Sequence, residues 1–166
     1  GPDTIAKHSG YGIDRSRYGN NATLMNRTIL NQTNCKFNEC MSFDGENSMI
    51  KYSSNSTLPG EFTFTTWFKK AASNSPDGYI FFDSDNSVAG AKIGFNNNPR
   101  DYLFVRIVPG GVFTNIDIGY ISSMDNTWNF LAVQRDANNI IKASLNGAPF
   151  KNGSALSGTF VQNVIG

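Results

Sequence analysis

Hydrolysis of a glycosidic bond needs two carboxyl groups flanking that bond, one acid and one base or nucleophile. The sequence holds three glutamates, Glu39, Glu46 and Glu61, each in or beside a turn-forming stretch and none alternating with another. Asp83 and Asp85 do alternate, but inside Asp83-Ser84-Asp85-Asn86-Ser87, whose residue types build turns. Nucleophilic catalysis has less to work with: His8 is the only histidine, it sits beside Ser9 and Gly10, and no G-x-S-x-G elbow occurs. Phosphate-cradling glycine loops are absent too. The same Asp83, Asp85 and Asn86 oxygens suit calcium, which takes carboxylate and amide oxygens gathered by one loop. An Asx turn accounts for them equally without a metal. Tyr79, Tyr102 and Tyr120 are candidates for sugar contact, because tyrosine tolerates a half-wet aromatic site. Against that, a chain with 13 phenylalanines puts most of its aromatics in a core.

Cys35 and Cys40 have four residues between them, and a single histidine leaves no ligand set for zinc. Free thiols and a local disulfide both remain open, the disulfide being the better reading. It implies an oxidising, extracytoplasmic setting. So small a loop removes little chain entropy, so its role is to shape the loop.

These groups sit in a chain of 166 residues, which predicts one domain over 1–166 with room for a two-layer core. Charged residues are 16% and the formal net charge is +1, without a basic block, which excludes the electrostatic footprint of nucleic-acid binding. Apolar runs such as Tyr79-Ile80-Phe81-Phe82 fall far short of the roughly 20 residues of a membrane span. Gly1-Pro2 reads as the scar of a cleaved tag. Asn21, Asn26, Asn31, Asn55 and Asn152 head Asn-X-Ser/Thr triplets, which permit a surface location.

The positioning elements are strands. No helical period is sustained, while period-two alternation and turn residues recur. Phe62–Phe68 is the clearest strand, with Phe62, Phe64 and Phe68 on one face and Thr63, Thr65 and Trp67 on the other. Bulk on both faces predicts a central strand, with Trp67 and Trp128 in the core. Further strands are expected at Ala22–Met25, Met49–Tyr52, Tyr79–Asp83, Ala91–Phe95, Tyr102–Val108, Val112–Ile118, Trp128–Arg135 and Ile140–Leu145. Turns rich in Gly, Pro, Asn, Asp and Ser separate them, among them Asn55–Gly60 and the hairpin turn Asp136–Asn139. Residues 3–40 read as an irregular polar arm ending in the cysteine loop.

Four segments carry a resemblance. Asp14–Leu24 is similar to an opening D-x-S-x-x-G-N-N-G-T-L motif, and Cys35–Gly45 to C-x-F-G-x-C-L-S-F-D-G. "FTFTTWF" at Phe62–Phe68 is similar to FTISFWV, and Trp128–Asp136 with Leu145-Asn146-Gly147 to W-x-x-V-A-V-x-R-D … V-N-G. Together they resemble the laminin-G-like group of the concanavalin A-like lectin/glucanase superfamily. The resemblance implies an all-β jelly-roll sandwich of two antiparallel sheets and supports the Cys35–Cys40 loop. Asp101-Tyr102-Leu103 through Gly110 resembles the D-Y-L strand by which laminin and neurexin G domains ligate calcium, which nominates Asp101. The family's closing strand has no counterpart after Val164-Ile165-Gly166. The expectation is a sheet edge beside the N-terminal strand that is filled by a strand supplied in trans or covered by the arm.

The function expected is a non-catalytic, extracellular or cell-surface module that recognises a glycan or a cell-surface protein, with calcium as its cofactor. A structural or adhesive domain of a surface filament, pilin or large surface protein is the rival, and a glycan-cleaving enzyme is disfavoured by its carboxylates.

Overall fold

The computed structural model describes residues 10–13, 17–19, 21–46, 48–58, 60–72, 78–82, 91–96, 102–107, 114–156 and 160–165. For 11, 53–58, 78–82, 91–92, 96, 106–107, 114–115, 121 and 160–165 it describes the backbone alone. The strands in chain order are β1 (Tyr11–Gly12), β2 (Ala22–Met25), β3 (Ile29–Asn31), β4 (Cys40–Ser42), β5 (Met49–Leu58), β6 (Phe62–Lys69) and β7 (Gly78–Phe82). They continue with β8 (Ala91–Asn96), β9 (Tyr102–Ile107), β10 (Thr114–Tyr120), β11 (Trp128–Arg135), β12 (Ile140–Leu145), β13 (Lys151–Ala155) and β14 (Phe160–Ile165). One 3-10 turn, Ile121–Met124, follows β10.

The chain divides into two compact units, Gly1–Ser56 with Asn163–Gly166, and Thr57–Gln162. Strands β5 and β14 have residues in both. In the first unit the strand order is β1-β2-β5-β14. β2 pairs antiparallel with both β1 and β5. β3 and β4 form their own two-stranded ladder, Leu30 opposite Met41. The Cys35–Cys40 disulfide closes the connection between them, with the two Cα atoms 5.4 Å apart. The polar arm therefore holds more strand than its one expected segment. β1, β3 and β4 are two or three residues long, too short to display alternation.

Two further expectations are corrected here. β5 runs on through Asn55 to Leu58, where a turn was expected. Phe160–Ile165, to which no strand was assigned, is β14, and it is the neighbour of β5. β14 lies beside β5, while the strand at the sheet's edge is β1, the first in the chain.

The second unit contains two layers, β14-β7-β8-β9-β10 and β13-β12-β11-β6. The pairs β7/β8, β8/β9, β9/β10, β6/β11, β11/β12 and β12/β13 are antiparallel. β10 packs against β12 and β13, and the Phe68 ring meets Phe95 across the layers at 5.7 Å between centroids. Ile93, Leu103, Val105, Leu131, Val133 and Ile141 fill the space between them, all but sealed from solvent. This is a sandwich of two antiparallel sheets, as expected.

Trp67 is not in that core. β6 lies at the edge of its sheet, and Phe62, Phe64 and Phe68 face inward. Trp67 stands on the opposite face at 37% exposure, its ring tilted against Phe130 at 5.2 Å. Trp128 shares that outer face and is half-buried. An aromatic on the second face of a strand marks a central strand only if another layer covers it.

The β11–β12 hairpin is held at both ends by polar side chains. At its turn, Asp136 accepts from the Asn138 and Ile140 backbone N–H groups at 2.9 Å each, and Asn139 takes φ 62°. Lys142 Nζ lies 2.7 Å from Asp136 Oδ2. At the other end the buried Asn129 accepts from Asn146 Nδ2 at 2.9 Å and donates to the Thr127 carbonyl at 2.9 Å. Asn146 Oδ1 in turn accepts from the Phe130 N–H at 2.8 Å. These contacts join the Trp128-Asn129 start of β11 to the Asn146-Gly147 turn that follows β12. Lys70 and Asp125, 2.7 Å apart, tie the end of β6 to the turn before β11.

Chemical denaturation should rank the core accordingly. Leu131→Ala should cost about 2–5 kcal/mol, and Trp67→Ala clearly less. Equal losses would put Trp67 back in the core. The Lys142 ammonium and the turn N–H groups hold the Asp136 carboxyl below its ordinary value of 3.8. A folded-state pKa below the unfolded one stabilises fully above the unfolded value and is lost as pH falls through the folded value. Urea denaturation from about pH 5 to pH 2 should therefore show a flatter acid loss for Asp136→Asn than for the parent.

Candidate functional site

Strand β10 begins with a regular alternation in which Ile116 opposes Val105 and faces the core. Continued unbroken, that period would carry Ile118 and Tyr120 inward too. Instead the register shifts between Asp117 and Gly119, a bulge that brings Gly119 opposite Leu103 and Tyr120 opposite Tyr102. Ile118 remains buried, while Tyr120 turns to the outer face with 59% of its surface exposed. A bulge of this kind re-aims side chains at a sheet edge. Gly119 permits it: a Cβ there would lie 2.7 Å from both Leu145 Cδ2 and Met124 Cε.

Two register-matched rows of positions follow on this sheet. In one, Tyr102 and Tyr120 stack at 4.7 Å between ring centroids with an interplanar angle of 31°. In the next, the register aligns Tyr79 of β7, Gly94 of β8, Phe104 of β9 and Asp117 of β10. Phe104 is half-buried and Gly94 is covered. The surroundings hold the rows in place from behind. Ser123 Oγ donates to the Tyr120 carbonyl at 2.7 Å and fixes the entry into the 3-10 turn. Lys151 Nζ of β13 donates to the Asp117 carbonyl at 3.1 Å. Such a surface offers aromatic rings with hydroxyl and carboxylate groups beside them, the combination on which sugar rings rest.

Of the residues nominated from sequence, Tyr102 and Tyr120 meet, and the backbone register sets Tyr79 in the adjoining row. Phe104 and Asp117 were not foreseen; the Asp-Ile-Gly run at the bulge is the only trace of them in the sequence. Asp83, Asp85, Asn86 and Asp101 lie outside the described residues, as does His8. Among the described residues, no group of three or more His, Cys, Asp or Glu could hold a metal ion. No described helix is long and apolar enough to cross a membrane.

Comparison with known proteins bears on this fold. The family described as the concanavalin A-like lectin/glucanases superfamily matches residues 44–164. No curated protein sequence matches the chain at a significant level. Among solved structures, the chain is similar to the binding domain of Paraclostridial Mosquitocidal Protein 1, with 16% identity over 93% of this chain and 42% of that one, at a TM-score of 0.66. It is similar to the receptor binding domain of botulinum neurotoxin D, with 16% identity over 92% of this chain and 46% of that one, at a TM-score of 0.64. The binding domain of botulinum neurotoxin DC in complex with SialylT matches at 17% identity over 90% of this chain and 40% of that one, with a TM-score of 0.57. The chain thus spans less than half the length of each of these domains, and at such identity the likeness is one of fold.

If the bulge aims the site, Gly119 and Tyr120 should separate stability from surface. Tyr120→Ala should change the unfolding free energy by less than about 0.5 kcal/mol. Gly119→Val should cost about 1–3 kcal/mol, because Leu145 and Met124 must move aside. A neutral Gly119→Val in urea denaturation would contradict the register described.

Proposed function

The chain belongs to the concanavalin A-like lectin/glucanase superfamily, and from that membership we propose that it is a non-catalytic, extracellular glycan-recognition module working through the outer face of the β7–β10 sheet. The observation that carries this reading is the Tyr102–Tyr120 ring pair, in which Tyr102 is half-buried and Tyr120 exposed. Two tyrosines held ring to ring on a sheet lose little conformational freedom when a ligand lands, so the contact is preorganised. A sugar ring lies with its apolar face on the stack, while the phenol hydroxyls and Asp117 reach its hydroxyls.

Three further features agree with the proposal. Two of the glutamates serve local structure: Glu39 accepts from Gln32, and Glu46 lies in the turn capped by Asp44. The disulfide Cys35–Cys40 suits an oxidising compartment. The similar toxin domains are binding domains by name, and one was solved with SialylT. Calcium belongs to the proposal through Asp101, which precedes Tyr102 directly, and through Asp83, Asp85 and Asn86. A calcium held by such oxygens would offer sugar hydroxyls a further ligand site.

A glycan array probed with and without calcium tests the reading. Binding is expected, with Tyr102→Ala and Tyr120→Ala each weakening it by about tenfold or more, the equivalent of about 1.4 kcal/mol. If no glycan binds in either condition, or if both variants bind as well as the parent, the module recognises something else. Calcium-independent binding would remove the metal from the proposal and leave the tyrosines.

A further inference from the structure

The other sheet of the second unit also has an outer face, and its composition is unlike the rest of the surface. Strand register sets its residues in four rows: Lys69 with Trp128, Trp67 with Phe130, Thr65 with Ala132 and Ser144, and Thr63 with Gln134 and Lys142. Both tryptophans of the chain are here, with the Phe130 ring against Trp67. The third row is made of small side chains. Rows on one face of a strand lie about 6.6 Å apart, so Trp67 and Phe130 stand about 13 Å from Thr63 and Gln134 across a low floor. The turn after β12 closes one end of this trough, where Ser144 Oγ bonds to the Ala148 carbonyl. The other end opens at β6, the edge strand.

Charge decides what fits. Among the described residues of these rows only Lys69 and Lys142 are charged. Lys142 is engaged by Asp136 at 2.7 Å. Lys69 is exposed, has no ionic partner among the described residues, and lies directly across from Trp128. The face thus combines an aromatic ridge, a floor as wide as a sugar ring, hydroxyl and amide groups on the far side, and one positive charge beside the ridge.

We propose that this face is a second saccharide site, selective for acidic sugars, in which a pyranose ring lies against Trp67 and its carboxylate meets the Lys69 ammonium. The site is independent of the tyrosine face, being built on different strands of the opposite sheet. An aromatic platform alone would take neutral and acidic sugars alike; the lone cation makes the distinction. Because Lys69 is solvent-exposed, its share of the affinity is modest and falls with added salt.

Tryptophan fluorescence reads this face alone, since the chain has no other tryptophan. Titration with hexagalacturonate should give a saturable change, and cellohexaose a markedly weaker one. Lys69→Gln should weaken the acidic ligand by about threefold, leave the neutral one unchanged and abolish the salt dependence. Trp67→Ala should weaken both by about tenfold, with circular dichroism confirming its fold. Tyr120→Ala should leave the titration unaltered while weakening binding at the tyrosine face by about tenfold, so the two sites fail separately. The proposal is overturned by no fluorescence change with either sugar, or by equal affinity for both. A change that appears on raising protein concentration without sugar would place a second copy on this face and overturn it as well.

Discussion

Asn129 and Asn146 are the constraint on which the second unit depends. A buried amide must find partners, because an unpaired one costs about 1–3 kcal/mol. Asn129 finds them in the Thr127 and Met124 carbonyls and in the Asn146 side chain. Asn146 meanwhile pairs with the backbone of Phe130 in both directions, accepting its N–H and donating to its carbonyl. The arrangement is satisfied in one register only. A slip of one residue would turn Asn129 to solvent, and would carry Leu131, Val133 and Arg135 out of the core with it. Which residues are hidden and which are shown on both faces of this sheet therefore follows from two asparagines at its rim.

The opposite sheet breaks its own alternation once, and the break has the larger functional effect. Leu103 and Val105 keep β9 regular, so Tyr102 and Phe104 point outward by default. β10 would not match them without the extra residue at Ile118. The bulge lets a strand that starts with its isoleucines inward end with its tyrosine outward. Only at a residue without a side chain can the layers stay this close, and Gly119 supplies it. The cost of the irregular ladder falls where Lys151 and Ser123 add hydrogen bonds from neighbouring segments.

Much of this was legible in the residues. Trp128–Arg135 and Ile140–Leu145 are strands to the residue, because alternation, a hairpin turn and a closing asparagine-glycine all point the same way. The disulfide was legible from spacing, from the want of metal partners and from the resemblance of Cys35–Gly45 to the family's cysteine loop. Trp67 was not: the sequence shows that a strand has two faces, and says nothing of whether a second layer covers the other one. Tyr120 was nominated for its chemistry, yet plain alternation with Ile116 and Ile118 would have buried it. The bulge that rescues it depends on contacts to Leu145 and Met124, far along the chain. β14 was missed because Phe160–Ile165 is short and mixed in polarity, a strand by virtue of its neighbours rather than its pattern.

The bulge has a consequence beyond the aim of one ring. β10 is the last strand of its sheet, and a last strand exposes a ladder of unpaired backbone groups to any extended chain that meets it. A stranger strand needs an even spacing of those groups to zip on. Between Asp117 and Gly119 the spacing is broken, so the edge that displays the tyrosines is also a poor template for aggregation. One inserted residue thus both turns the tyrosine outward and interrupts the edge beside it.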